Sequence, residues 1–183
     1  MSIKNYKRIV ILGSGGSGKT TLSNYINKKI GLPVVYLDKE YWLPNWEKPC
    51  EEDWNNKLSK LSENEKWIMD GNYIDSLNIR LERADLVIML DIKQSVCLTS
   101  IFFRTLRSYF VKRKDLSDGC KDKFNQNYTE FVSWVKQFKN VYFPQLVNLC
   151  LEYPNIDLKL FTKRRNAKKF IKRMAKNYRY EEN

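Results

Sequence analysis

Histidine is absent from this 183-residue chain, and its four cysteines, Cys50, Cys97, Cys120 and Cys150, include no Cys-x-x-Cys pair. A mixed His/Cys metal site is excluded, and the expectation is four reduced thiols in a cytoplasmic protein. Long apolar runs are missing too. The longest clean one is Leu86 to Leu90, whereas a bilayer span needs roughly 20 residues, so no transmembrane helix and no membrane partner are expected. Met1 to Arg8 is polar and runs into a strand, which argues against a signal peptide. No internal repeat or low-complexity tract is visible. Acidic residues are in short supply, 21 against 33 basic, for a formal charge of +12. The last 25 residues, from Lys159, hold ten Lys/Arg and two Asp/Glu, so two thirds of the surplus sits there.

What is present suits a single folded domain over 1–183. Hydrophobic residues make up 43% and aromatics 14% of the chain, enough to cover both faces of a sheet. Short β-branched or apolar runs predict strands at 8–12, 34–37, 67–69, 86–90 and 157–161. Helical spacing predicts helices at 19–30, 51–61, 77–83, 93–112, 124–139, 141–151 and 166–176. In the 93–112 helix the apolar stripe includes Leu98, Ile101, Phe102, Leu106, Tyr109 and Phe110. Trp42 to Cys50, with two prolines, reads as irregular. Strands alternating with helices imply an α/β fold with a five-stranded parallel sheet and helices on both faces.

Gly13-Ser14-Gly15-Gly16-Ser17-Gly18-Lys19-Thr20 fits G-x-x-x-x-G-K-[ST] at every fixed position, with a strand before and a helix after. Glycines let successive N–H groups point at one phosphate, and the positive end of the helix dipole lies at the same place. Lys19 supplies a cation to the β- and γ-phosphates, Thr20 a hydroxyl to Mg²⁺, and Thr21 closes the binding set. The cofactors expected are ATP and Mg²⁺. A GTPase would need Asn-Lys-x-Asp at a strand end, and Asn27-Lys28 lies inside the first helix. A transport ATPase would need a Ser-Gly-Gly signature outside the phosphate loop. A P-loop kinase remains, with acidic residues at strand ends above the sheet.

Two aspartates compete as second magnesium anchor. Asp91 opens Asp91-Ile92-Lys93-Gln94, a D-x-x-Q pattern that a capping box explains. Asp70, ending the third strand before Gly71, is favoured as the water-mediated Mg²⁺ partner, with a turn or helix cap as the alternative.

Leu37-Asp38-x-x-x-Trp42-x-Pro44-x-Trp46, Trp67-Ile68-Met69-Asp70-Gly71-Asn72-Tyr73, Arg80-x-x-Arg83-Ala84-Asp85 with Leu90-Asp91, and Asp118-Gly119-Cys120 together resemble the adenylate-kinase-like proteins known as DNA topology modulation proteins. The resemblance covers nearly the whole chain. It implies a P-loop NTPase fold of the NMP-kinase-like type with ATP at the loop and a short lid. It supplies no acceptor.

Asp38 is placed to take a proton from a substrate hydroxyl or orient it; a strand-end turn residue is the alternative. Trp42, Trp46 and Tyr73 form either an aromatic wall for a substrate ring or core beneath the loop. Arg80 or Arg83 reaches a substrate anion or pairs with Glu82 or Asp85. Arg104, Arg107 and Lys114 lie opposite the apolar stripe, as lid arginines over the phosphates or as a solvated basic face. The substrate-side segment is expected at about 38–66, the lid at about 104–127 and a basic C-terminal helix at about 165–179. Cys120 at the lid tip reads as structural. In the last helix Ala167, Phe170, Ile171 and Met174 face the sheet. Lys168, Lys169, Lys172, Arg173 and Lys176 form a solvated face, with nucleic acid or an anionic membrane surface as disfavoured alternatives. Lys163 to Asn166 falls where such kinases touch adenine. The sequence therefore points to an ATP-dependent phosphotransferase acting on a small hydroxyl- or phosphate-bearing molecule such as a nucleoside or nucleotide, as monomer or homodimer. The competing reading is a DNA-associated P-loop protein with slow hydrolysis.

Overall fold

The computed structural model describes residues 5–111 and 113–178. Strands β1 (Arg8–Gly13), β2 (Val34–Tyr36), β3 (Trp67–Asp70), β4 (Leu86–Leu90) and β5 (Asp157–Phe161) form one parallel sheet in the order β2-β3-β1-β4-β5. The β3-to-β4 connection crosses over β1, so the chain leaves β1 and its neighbours in opposite directions and opens a crevice at their carboxyl ends.

Side chains alternate between the two sheet faces, and both faces are covered. Val10, Leu12, Met69, Val87 and Met89 meet α3 (Glu51–Ser62) through Trp54 and Leu58, α4 (Leu77–Leu81) through both end residues, and α7 (Tyr142–Leu151) through Leu146 and Cys150. Ile9, Ile11, Ile68, Leu86, Ile88 and Leu90 meet Leu22 and Ile26 of α1 (Lys19–Ile30) and Ala167, Ile171 and Met174 of α8 (Arg164–Tyr178). Double coverage is why the strands read as continuous apolar runs; each buried Leu or Ile contributes roughly 1.5–3 kcal/mol.

Several expectations change. β2 stops at Tyr36, and Leu37–Tyr41 forms a short helix, α2. Leu37 is fully buried beneath Gly71, where a Cβ would lie 2.9 Å from the Leu37 Cβ, and this contact turns the chain out of the sheet. Asp38 therefore sits in the first turn of α2 rather than at a strand end.

The long helix α5 runs over Gln94–Ser108 rather than from 93 to 112, and Lys112 lies outside the described residues. Only part of its predicted core stripe faces the core: Ile101 is buried and Leu98 packs against the same cluster. Phe102, Leu106, Tyr109 and Phe110 are exposed, Phe110 at 85%, whereas Cys97, Ile101 and Thr105 are buried. The reason is spatial: a Cβ at Gly16 would lie 2.3 Å from Cys97 O and 3.0 Å from Ile101 Cγ1, so α5 packs on the phosphate loop along the Cys97–Ile101 side and leaves the other side outward.

The capping box at Asp91 also does not form. The Asp91 N–H still extends the sheet to Phe161 O at 2.9 Å, so the helix starts beyond reach of its carboxylate. Asp91 instead pairs with Lys139, and Gln94 Nε2 donates to Lys136 O at 2.6 Å. α6 (Gln126–Gln137) packs on α5 through Phe131, Trp134 and Val135. α8 begins at Arg164, two residues before the predicted Asn166, and the basic segment predicted to reach 179 ends outside the described residues.

Candidate active site

At the carboxyl ends of the strands lies a cleft of about 1370 Å³, lined by residues of the phosphate loop, α2, the β3–α4 loop, α5, the 113–125 segment, α6 and α8. A single drug-sized ligand occupies roughly 300–1,000 Å³, so the cleft has room for a nucleotide and a second small molecule.

The loop from Gly13 to Thr20 wraps as its composition requires. Gly16 and Gly18 adopt φ +71° and +100°, conformations that glycine reaches without penalty. A Cβ at Gly15 would stand 2.4 Å from Phe131 Cζ. Gly15, Gly16, Gly18, Lys19, Thr20 and Thr21 line the cleft. Gly13, Ser14 and Ser17 lie behind them, buried, and the Ser17 hydroxyl is buried without a hydrogen-bond partner. Lys19 Nζ rests on Gly13 O (2.7 Å) and Ser14 O (3.1 Å), and burial lowers its pKa against the pull of Asp70 and Asp38. Left-handed glycines and a desolvated ammonium group fit a polyphosphate.

Asp70 is 6% exposed at the end of β3. Burial pushes its pKa up to about 6, with Lys19 and Thr20 pulling it down. Thr20 Oγ1 donates to Asp115 Oδ2 at 3.3 Å. Among the described residues no group of three or more His, Cys, Asp or Glu converges. Asp91 does not line the cleft.

On the acceptor side, Asp38 Oδ1 accepts from Tyr73 Oη at 2.9 Å. Burial and the charge of Asp38 both push the Tyr73 pKa upward, so Tyr73 stays a donor that orients the carboxylate. Trp42 and Trp46, with ring centroids 5.5 Å apart, line the cleft beside Tyr73. Tyr73 also packs against Tyr41 and the buried Trp54, so it serves both wall and core. Phe131 and Trp134 of α6, stacked at 5.8 Å, line the cleft as well.

Arg80 does not reach the cleft. It is fully buried, and its guanidinium donates to Gly71 O (2.8 Å), Tyr73 O (3.1 Å) and Asn72 O. The expected substrate contact is replaced by support for the Gly71–Tyr73 loop. Asn72 from the same loop straps β1: its Oδ1 accepts from Gly13 N and its Nδ2 donates to Gly13 O, both at 3.0 Å.

Arg104 turns inward from α5, with its guanidinium 5.5 Å from the Phe131 ring and Nε 3.1 Å from Asp122 Oδ2. Burial and then Arg113 lower its pKa, while Asp122 and Asp38 oppose them. Arg107 and Lys114 line the cleft as exposed residues. Cys120 is buried and donates to Leu43 O at 3.2 Å, which ties the 113–125 segment to the Pro44–Trp46 turn.

Sequence reasoning did not single out Arg113, Asp115, Asn72 or Arg164. Arg164 Nε donates to Ser17 O (2.8 Å), and Nη2 to Ser100 Oγ (2.9 Å) and to Gly16 O. It fixes the loop carbonyls outward from where α8 begins. Its only sequence signal is a basic residue just after the last strand, within the 163–166 stretch.

No family model matches the chain. Over 138 residues it is 33% identical to "Uncharacterized protein YqaC" of Bacillus subtilis (strain 168), covering 73% of this chain and 74% of that one. The fold is similar to a shikimate kinase from Acinetobacter baumannii in complex with shikimate, with a TM-score of 0.57, 15% identity and coverage of 92% and 90%. It is also similar to a shikimate kinase from Bacteroides thetaiotaomicron, with a TM-score of 0.51, 16% identity and coverage of 93% and 97%. At these identities the likeness establishes a P-loop kinase-like fold.

Proposed function

Because the chain belongs to the family of the uncharacterized Bacillus subtilis protein YqaC and has a P-loop kinase-like fold, we propose that it is an ATP-dependent phosphotransferase acting on a small hydroxyl-bearing molecule. The observation that carries this reading is the meeting of Lys19, Asp38, Asp70 and Arg104 in one cleft large enough for two ligands. Thr20 and Asp70 would hold magnesium, which when bound screens charge on the β- and γ-phosphates.

The chain's own residues supply the rest. Loop N–H groups grip the phosphates, and Lys19 exchanges two carbonyl contacts for phosphate oxygens. Asp38, aimed by Tyr73, accepts the acceptor's hydroxyl proton as that oxygen bonds to the γ-phosphorus. The bond from the γ-phosphorus to its bridging oxygen breaks, and ADP leaves. Arg104 and Arg107 stabilise the charge on the moving group, and the lid excludes water. Trp42 and Tyr73 face the acceptor. Lys48, Lys114, Lys121 and Lys123 also line the cleft, so its field favours an acceptor that carries a carboxylate or phosphate besides its hydroxyl. The A. baumannii neighbour binds shikimate, a precedent for a small acceptor in this fold.

The test is ATP consumption against a panel of nucleosides, nucleotides, sugars, polyols and hydroxy acids. One class should accelerate turnover. Lys19→Ala should abolish the acceleration, and Asp38→Asn should lower kcat by about 10²–10⁴-fold. A panel with no acceleration sinks the proposal. The exposed basic face of α8 (Lys169, Lys172, Arg173, Lys176) supports the second reading, a DNA-associated ATP-binding protein. Metabolite-independent DNA binding that weakens steeply with salt would favour it.

A further inference from the structure

Thr20 comes from the phosphate loop and Asp115 from the lid, yet the Thr20 hydroxyl donates to the Asp115 carboxylate at 3.3 Å. That carboxylate is held in place. Arg113 donates Nε to Oδ1 at 3.1 Å and Nη2 to Oδ2 at 2.7 Å, while its Nη1 reaches Asp122 Oδ2 at 2.7 Å. Asp122 also pairs with Arg104 Nε. One lid network therefore aims Asp115 at Thr20 and Arg104 into the cleft. From the sheet below, Asp70 lines the same cleft as Thr20 and Asp115.

We propose that Asp115 is a lid-borne magnesium residue, joining Thr20 and Asp70 around the cation so that cation binding and lid closure become one event. It rests on the phosphotransferase reading and deepens it. Magnesium–oxygen distances of about 2.1 Å put two oxygens on one octahedral edge about 3 Å apart. The 3.3 Å between Thr20 Oγ1 and Asp115 Oδ2 is within a few tenths of an ångström of that edge. The pair can share a cation, or a water on it, with little rearrangement. Without a cation, closure drives Asp115 against Asp70 and like charges repel. With one between them, the same approach is attractive. The cation therefore favours the closed lid, and by linkage the closed lid retains the cation. Two carboxylates and a hydroxyl leave the shell incomplete, so the arrangement closes fully only when nucleotide phosphates add their oxygens.

The test measures Mn²⁺ by electron paramagnetic resonance on the full chain with a non-hydrolysable ATP analogue, for wild type, Asp115→Asn and Asp115→Ser. Tryptophan fluorescence from Trp42, Trp46 and Trp134, which line the cleft, reports the lid. Either variant should bind Mn²⁺ about 10-fold or more weakly in the nucleotide complex, the range for losing a supporting group at a metal site. Nucleotide affinity in chelator should stay within two-fold, and the Mn²⁺-induced fluorescence change should vanish. Unchanged or tighter Mn²⁺ binding in a folded variant overturns the proposal; tighter binding would make Asp115 a plug that competes with the cation. A wild-type chain that binds no ATP analogue overturns the phosphotransferase reading itself. A wild type that binds analogue and Mn²⁺ no differently from the variants overturns only the role of Asp115.

Discussion

Arg80 shows how one residue can serve the site without touching it. Burial lowers its pKa to about 9, with Tyr73 and Cys150 pulling it back, so it stays charged at neutral pH. Three carbonyls of the Gly71–Tyr73 loop take its donors. That loop carries Asn72, which straps Gly13, and Tyr73, which aims Asp38. Tyr73 and Trp46 also hold left-handed backbone at φ 39° and 65°, strain that the surrounding packing must hold in place. Arg80→Met should destabilise the fold by about 3 kcal/mol in urea titrations, because it leaves buried carbonyls without donors. Arg80→Lys should recover less than half, since one ammonium cannot replace a planar fork. A loss below 1 kcal/mol for the methionine variant would show the loop needs no such brace. The sequence placed Arg80 beside a motif but could not tell a substrate contact from a loop brace. Both need a guanidinium at the same spacing.

At the scale of elements, α5 separates periodicity from packing. Its large apolar residues follow helical spacing, yet the face that meets the phosphate loop is Cys97, Ile101 and Thr105. Phe103 stands on its outside at 61% exposure, and Phe110, just past its end, is 85% exposed. Ile101→Ala should cost about 2–4 kcal/mol, whereas Phe110→Ser should change urea stability by less than about 0.5 kcal/mol. A Phe110→Ser loss as large as that of Ile101→Ala, growing with protein concentration, would mean that the outer face of α5 is covered by a second copy. The α2 turn shows the same limit. Leu37 belongs to the apolar run of β2, and only its burial against Gly71 bends the chain and moves Asp38 from strand end to helix.

For the whole molecule, the buried Asp70 links the site to global stability. Its pKa is about 6 in the fold against an ordinary 3.8. Between those values the folded chain binds the proton more tightly than the unfolded one. Stability from this group therefore falls as pH rises through that window, and the ionised carboxylate costs about 3 kcal/mol above it. In nucleotide-free protein, Asp70→Asn should flatten that dependence and raise stability at pH 7 by a similar amount. A wild type–variant difference that stays constant from pH 4 to 7 would refute the shift. The fold tolerates this because the sheet is covered on both faces and stability is shared among many buried strand residues. The loss is concentrated where a cation and phosphates would reverse it.

The sequence by itself determined the five strand positions to within about a residue, the longer helices and the phosphate loop, because these depend on local spacing: apolar runs, a Gly-rich turn, a lysine fixed in register. Its motif at Asp70–Tyr73 also marked the right loop. Tertiary structure alone decided which carboxylates and guanidiniums meet. Asp115 reaches Thr20 across 95 positions, and Arg164 reaches Ser17 across 147. No local pattern encodes such distances. The packing of the 113–125 segment over the cleft and the crossing of β3 to β4 over β1 bring those groups together.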